Sequence, residues 1–170
     1  AGSETSLQAA MQAEESHQAK LLADSYSDEE EDDSPRLLSV SNGIATIDIK
    51  GALVNSDSPW LRYYGMTGYG EIRDAVMSAA NDPAVKHILL DVDSGGGAVS
   101  GCDDTARLIR MVNDRVKPVT AFTDGNMCSA AYWLSCAASE VYSGKASLLG
   151  SIGIISTFRE YSEMNKKEGI

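Results

Sequence analysis

His87-Ile88-Leu89-Leu90-Asp91-Val92-Asp93-Ser94-Gly95-Gly96-Gly97 is the stretch on which the fold turns. Its first half is a nearly all-apolar run bounded by turn residues, the pattern of a strand covered on both faces in a parallel sheet. Its second half is a triple glycine that ends the strand. Glycines let backbone N–H groups approach a ligand closely, and a following helix, expected through Met111, adds positive potential at its N-terminus. Such a turn suits a phosphate or a developing oxyanion, or simply a strand-to-helix turn that needs glycine. The dinucleotide reading is weak, because Gly95 to Gly101 does not spell GxGxxG and Asp91 and Asp93 would sit near the phosphates.

Working outward, strands and helices alternate. Upstream, Val40 to Ile49 reads as a hairpin or strand start turning at Asn42-Gly43, with Ile44 to Ile49 rich in β-formers. Residues 55 to 70 form a loop of functional size, and Glu71 to Asn81 a helix with Ile72, Val76 and Met77 on one face, stopped by Asp82-Pro83. Downstream come a strand over Val119 to Thr123, a turn at Asp124-Gly125-Asn126 and a helix from Ser129 to about Ala138. A strand at Val141-Tyr142, a glycine-bearing loop, Ile152 to Ser156 and a last helix from Arg159 follow. This order predicts an α/β layered fold with mainly parallel strands and crossover helices. The strands near 44–49, 88–92, 119–122 and 141–142 should share one sheet.

Composition narrows the class further. The 170 residues suit one domain, or a domain with a tail, and the charged and hydrophobic fractions of 23% and 43% are those of a soluble globular protein. No stretch approaches the roughly 20 apolar residues of a membrane span, and no signal peptide opens the chain. The net charge of −11 argues against nucleic-acid binding. Three cysteines without a CxxC pair argue against a disulfide scaffold, and two separated histidines, His17 and His87, offer no metal site. No cofactor is expected. Residues 1 to 36 hold ten of the 25 acids and two of the 14 bases, a net of −8 that leaves −3 for the rest. The run Asp28-Glu29-Glu30-Glu31-Asp32-Asp33 reads as solvated linker, so 1–36 is expected to be an acidic, flexible extension, or an arm that docks on a neighbouring subunit. The folded domain is expected from 37 to 170.

The second place that carries chemistry is Met127-Cys128-Ser129-Ala130-Ala131-Tyr132-Trp133. A serine at the first turn of a helix, after a strand and a glycine-containing turn, is placed to expose an activated hydroxyl. On local grounds alone the commoner reading is a cap, since a serine at a helix start usually satisfies orphan N–H groups. Cys128 is a rival nucleophile by chemistry alone. No histidine follows either residue, so a Ser-His-Asp order is absent, His87 reads as structural, and an activated Ser129 would need a lysine as base.

Together, Asp91-Val92-Asp93-Ser94-Gly95-Gly96-Gly97, Asn126 to Trp133 and Leu149-Gly150-Ser151-Ile152-Gly153-Ile154 resemble, in order and spacing, the signature blocks of the signal peptide peptidase A (protease IV) family. These are serine–lysine peptidases of Clp protease/crotonase-type fold. The loop around Tyr63 to Tyr69 and the Ser-Ala-Ala-Tyr-Trp block look most like the phage branch, the protein C-like capsid assembly proteases. The resemblance implies Ser129 as nucleophile, Gly96, Gly97 and Ala130 as oxyanion hole, and Ser151 as the residue that orients the lysine. It places the base lysine about fifty residues beyond the nucleophile, past Ile170, so this chain is expected to be an incomplete peptidase. Lys145, Lys166 and Lys167 do not fall on that position. Gly95 stands where the family usually has proline.

The implied partners are peptide or protein substrates with small P1 side chains, among them phage scaffold and capsid proteins, in the bacterial host cytoplasm or inside the procapsid. A homo-oligomer is implied too, for which Trp60, Tyr63, Tyr64 and Tyr69 offer aromatic surface or else pack on their own subunit. Three other readings stay open: a membrane-associated signal peptide peptidase, an acyl-CoA enzyme of crotonase type, and a non-catalytic assembly subunit or prophage remnant.

Overall fold

Asn42 and Gly43, both left-handed at φ 52° and 80°, close a two-residue turn between β1 (Leu38–Ser41) and β2 (Ile44–Val54). The strands pair antiparallel with Ser41 opposite Ile44, as the Asn-Gly dipeptide predicts. This computed structural model describes residues 37–169. The acidic extension expected at 1–36 lies outside the described residues.

Every other pairing is parallel. β2 pairs with β4 (His87–Gly97), β4 with β5 (Val119–Thr123), and β5 with β7 (Glu140–Ser143), giving the order β1-β2-β4-β5-β7. The four strands expected to share a sheet do so. Two short additions widen the C-terminal end: β3 (Met66–Gly68) extends along Ala52–Val54, and β6 (Asn126–Cys128) pairs with β4 at Ser94 and with β8 (Leu148–Gly150). The crossovers are α1 (Tyr69–Asn81), α2 (Cys102–Arg115) and α3 (Ala130–Ser135), and a surface helix α4 (Ser162–Glu168) follows. The fold is therefore the α/β class expected, mostly parallel and helix-crossed.

The core forms where the helices meet the sheet. Ile47, Ile49 and Leu53 of β2 and Ile88, Leu90 and Val92 of β4 are buried against Ile72 and Val76 of α1, Ile109 and Val112 of α2 and Leu134 of α3. Each such side chain stabilises the fold by about 2 kcal/mol through area removed from water. Glu71 starts α1 by accepting the Gly68 N–H at 3.1 Å.

Three expectations need correction. β4 alternates rather than being covered twice: Ile88, Leu90 and Val92 are buried, while His87, Leu89 and Asp91 are half-buried and Asp93 is exposed. The reason is that the opposite face carries Lys50, which pairs with Asp91 at 2.6 Å among exposed residues such as Asp48. Met77 is exposed, because the α1 face that begins with Ile72 and Val76 is completed by Ala75, Ala79 and Ala80. The helix expected from Ser129 to about Ala138 is the shorter α3.

Candidate active site

The alternation of β4 carries Ser94 into the interior, two residues beyond Val92. Its hydroxyl donates to the Gly51 carbonyl at 2.6 Å and accepts the Gly96 N–H at 3.1 Å. Gly51 can offer that carbonyl because β2 bulges there, with φ +69° and a register shift between Lys50 and Ala52. At Gly96 and Gly97 the strand has no room for side chains. A Cβ on Gly96 would lie 2.6 Å from Ser129 Cβ and 3.0 Å from Ala130 N, and one on Gly97 would lie 1.9 Å from the Leu53 carbonyl oxygen.

Ser129 enters from the other side. β6 delivers it at the junction with α3, and Asp93 shapes the preceding turn by accepting the Asn126 backbone N–H at 3.0 Å and its side-chain amide at 3.2 Å. At φ 52° and ψ −121° Ser129 holds a conformation that costs a serine on the order of 1–3 kcal/mol. Its N–H donates to Gly150 O at 2.7 Å, and its C=O accepts the Trp133 N–H at 2.9 Å. Its hydroxyl makes no capping hydrogen bond to the helix. The hydroxyl is thus free of the capping role that a serine at a helix start commonly takes. Ser151, at φ 52° and exposed, directly follows the Gly150 that holds Ser129.

Gly96, Gly97, Ser129, Ala130 and Ser151, far apart in sequence, therefore meet at one end of the sheet. A cavity of about 380 Å³ opens there, lined by Gly97, Ser129 and Ala130 and walled by Val99, Tyr132, Trp133, Ile152 and Ile154, with Cys102 and Cys136. No lysine or histidine lines it among the described residues. Lys145 sits in an exposed turn and Lys166 pairs with Glu163, so neither approaches the role of base. His87 Nε2 and Thr120 Oγ1 hydrogen-bond at 2.9 Å, a structural use. Cys128, buried in β6, has its thiol on the Leu148 carbonyl.

Sequence reasoning missed Ser94, Cys102 and the role of Tyr69. Tyr69 is fully buried and donates its hydroxyl to Ala98 O at 2.6 Å, pinning the strand just past the glycines. Burial first, then the neighbouring Cys102, pushes its phenol up, so it stays a donor. Burial likewise raises the Cys102 thiol. A signal for Ser94 was present: it continues the every-second-residue burial of Ile88, Leu90 and Val92.

Fold and site define a mostly parallel α/β protein with a strained serine at a strand–helix junction beside a glycine turn. Among solved structures, an enoyl-CoA hydratase/isomerase family member is similar with a TM-score of 0.51 at 17% identity, covering 71% of this chain and 52% of that one. An enoyl-CoA hydratase from Mycobacterium avium subsp. paratuberculosis K-10 is similar with a TM-score of 0.51 at 20% identity, covering 66% and 45%. These show the crotonase-type fold. Residues 112–170 match the model of Peptidase family S49, and the chain belongs to that family. Capsid assembly protease C of Escherichia phage lambda is 39% identical over 143 residues, 82% of this chain and 32% of that protein. Head-tail preconnector protein GP5 of Enterobacteria phage P21 is 35% identical over 135 residues, 79% and 27%. Protease 4 of Salmonella typhi is 33% identical over 111 residues, 65% and 17%. The chain spans about a third or less of the length of these curated relatives.

Proposed function

We propose that this chain is the nucleophile-bearing part of a serine peptidase with a Ser–Lys dyad that cleaves phage scaffold or head proteins during capsid maturation. The observation that carries it is Ser129, held at φ 52° with its hydroxyl free of the helix and its backbone against Gly96. A peptide lies extended beside Gly96 to Val99, as an added strand. A lysine beyond Ile170, oriented by Ser151, takes the Ser129 proton, and Oγ attacks the scissile carbonyl. Amides of the Gly96–Gly97 turn and Ala130 stabilise the oxyanion, the amine leaves with the proton, and water hydrolyses the acyl-enzyme. The cavity beside Ser129 receives the P1 side chain. Its volume of about 380 Å³ admits residues larger than the small P1 side chains that the resemblance implies.

The absence of a lysine or histidine among the described cavity residues also supports a second reading, a non-catalytic assembly subunit. One peptide-cleavage assay separates them, run on this chain, on the full-length protein and on full-length Ser129→Ala. We expect negligible hydrolysis by the short chain, activity in the long one, and a loss of at least about 10³-fold on Ser129→Ala. Equal activity in the short and long chains would place the base within residues 1–170, and a fully active Ser129→Ala would remove the nucleophile assignment. An inactive full-length protein favours the assembly subunit. The proposed setting is the host cytoplasm or procapsid, and no helix among the described residues is long and apolar enough to cross a membrane.

A further inference from the structure

We propose that Ser94 is a positioning residue that divides the two glycines: it holds the Gly96 amide inward, so that Gly97, with Ala130, presents the N–H that meets the oxyanion. This deepens the peptidase reading and rests on it. Ser94 is buried and makes two bonds of opposite sense, donating to Gly51 O at 2.6 Å and accepting from Gly96 N–H at 3.1 Å. The hydroxyl's one proton is committed to the carbonyl, so its lone pair is offered to the amide. The Gly96 N–H therefore points to the β2 side, away from Ser129.

The next two residues follow from strand geometry. Gly97 is the register partner of Leu53, and Ala98 N–H donates to Leu53 O at 2.8 Å. Successive N–H groups of an extended strand face opposite edges. With Ala98 turned to β2, the Gly97 N–H faces the opposite edge, on which β6 pairs with β4 at Ser94. Gly97 also lines the cavity together with Ser129 and Ala130, the residue whose N–H opens α3. Gly96 serves a different need: it is the Cα against which Ser129 packs, a Cβ there lying 2.6 Å from Ser129 Cβ.

The clasp also reaches past the glycine turn. Gly51 packs on the Gly65 carbonyl, to which Ala52 N–H donates at 3.3 Å, so the oxyanion turn is tied through Ser94 to the loop that carries Tyr63 and Tyr64.

The test uses the full-length protein labelled with ¹⁵N-glycine and ¹⁵N-alanine, and a peptidyl boronate with an apolar P1 group as probe. Its tetrahedral adduct, verified by its loss in Ser129→Ala, should move the Gly97 and Ala130 amide resonances downfield and leave Gly96 near its free position. Movement of Gly96 with Gly97 unmoved would overturn the proposal. No adduct at Ser129 would remove the peptidase reading and the proposal with it, a result distinguishable because neither glycine then moves. In parallel, Ser94→Ala should lower kcat by about 10- to 100-fold, short of losing a whole oxyanion donor, with KM changed less than about threefold. Its boronate affinity should fall by the same factor, and Ser94→Thr should restore both. An unchanged kcat in Ser94→Ala would overturn the proposal, and the resonance experiment on the unmutated protein decides the matter if that variant does not fold.

Discussion

Three adjacent glycines in β4 differ completely in what they tolerate. Nothing lies within 4 Å of a Cβ built on Gly95, so Gly95→Ala should raise stability by about 0.5 kcal/mol by restricting the unfolded chain. Gly96→Ala meets Ser129 Cβ at 2.6 Å in a left-handed conformation, and Gly97→Ala meets the Leu53 carbonyl at 1.9 Å. Each should cost roughly 2 kcal/mol or more, since backbone must move rather than a flexible side chain. Urea titration of the three variants checks this, and a Gly96→Ala protein as stable as the parent would show that Ser129 is not packed there. The glycine run itself was plain in the sequence. Which glycine is indispensable was not, because that depends on β6 and β2, which approach from residues remote in the chain.

At the scale of elements, the turn that launches β6 decides where Ser129 sits. The Asp93 carboxylate accepts two hydrogen bonds from Asn126, and Gly125 leaves the space that carboxylate fills, a Cβ there lying 2.5 Å from Asp93 Oδ1. Asp93→Ala should therefore lower stability by about 1 kcal/mol, a value kept small by the exposure of the site, and should lower the activity of the full-length protein. Thermal unfolding with matched kinetics checks it, and an Asp93→Ala protein unchanged in both would mean the turn holds itself. α1, β4 and β5 were legible because periodicity and β-branched runs marked them. β6 and β8 were not: three residues each, they exist only by pairing with one another and with Ser94, so no local pattern announces them. The sequence likewise left Ser129 between cap and nucleophile; the missing capping hydrogen bond, which goes with a backbone angle no residue type displays, speaks against the cap.

Across the whole molecule, the resemblance carried by three ordered sequence blocks implied a common site, and a parallel α/β sheet can supply one because it gathers its strand ends on one side. What spacing left undecided is the fate of the aromatic loop. Tyr69 proves to be core, whereas Trp60, Tyr63 and Tyr64 are 64%, 82% and 68% exposed, the two tyrosines stacked edge to face at 5.3 Å. Exposed aromatic side chains of this size are typical anchors of protein interfaces. We therefore expect the full-length protein to self-associate through this loop. Replacing Trp60 and Tyr63 by serine together should shift the sedimentation profile toward monomer while moving subunit stability by no more than about 0.5 kcal/mol, since neither side chain supports the core. The pairing of the two measurements matters. Dissociation with preserved unfolding behaviour locates the interface at the loop, dissociation with lost stability would mean that the loop braces its own subunit, and a full-length protein that is strictly monomeric at high concentration would remove the oligomer altogether.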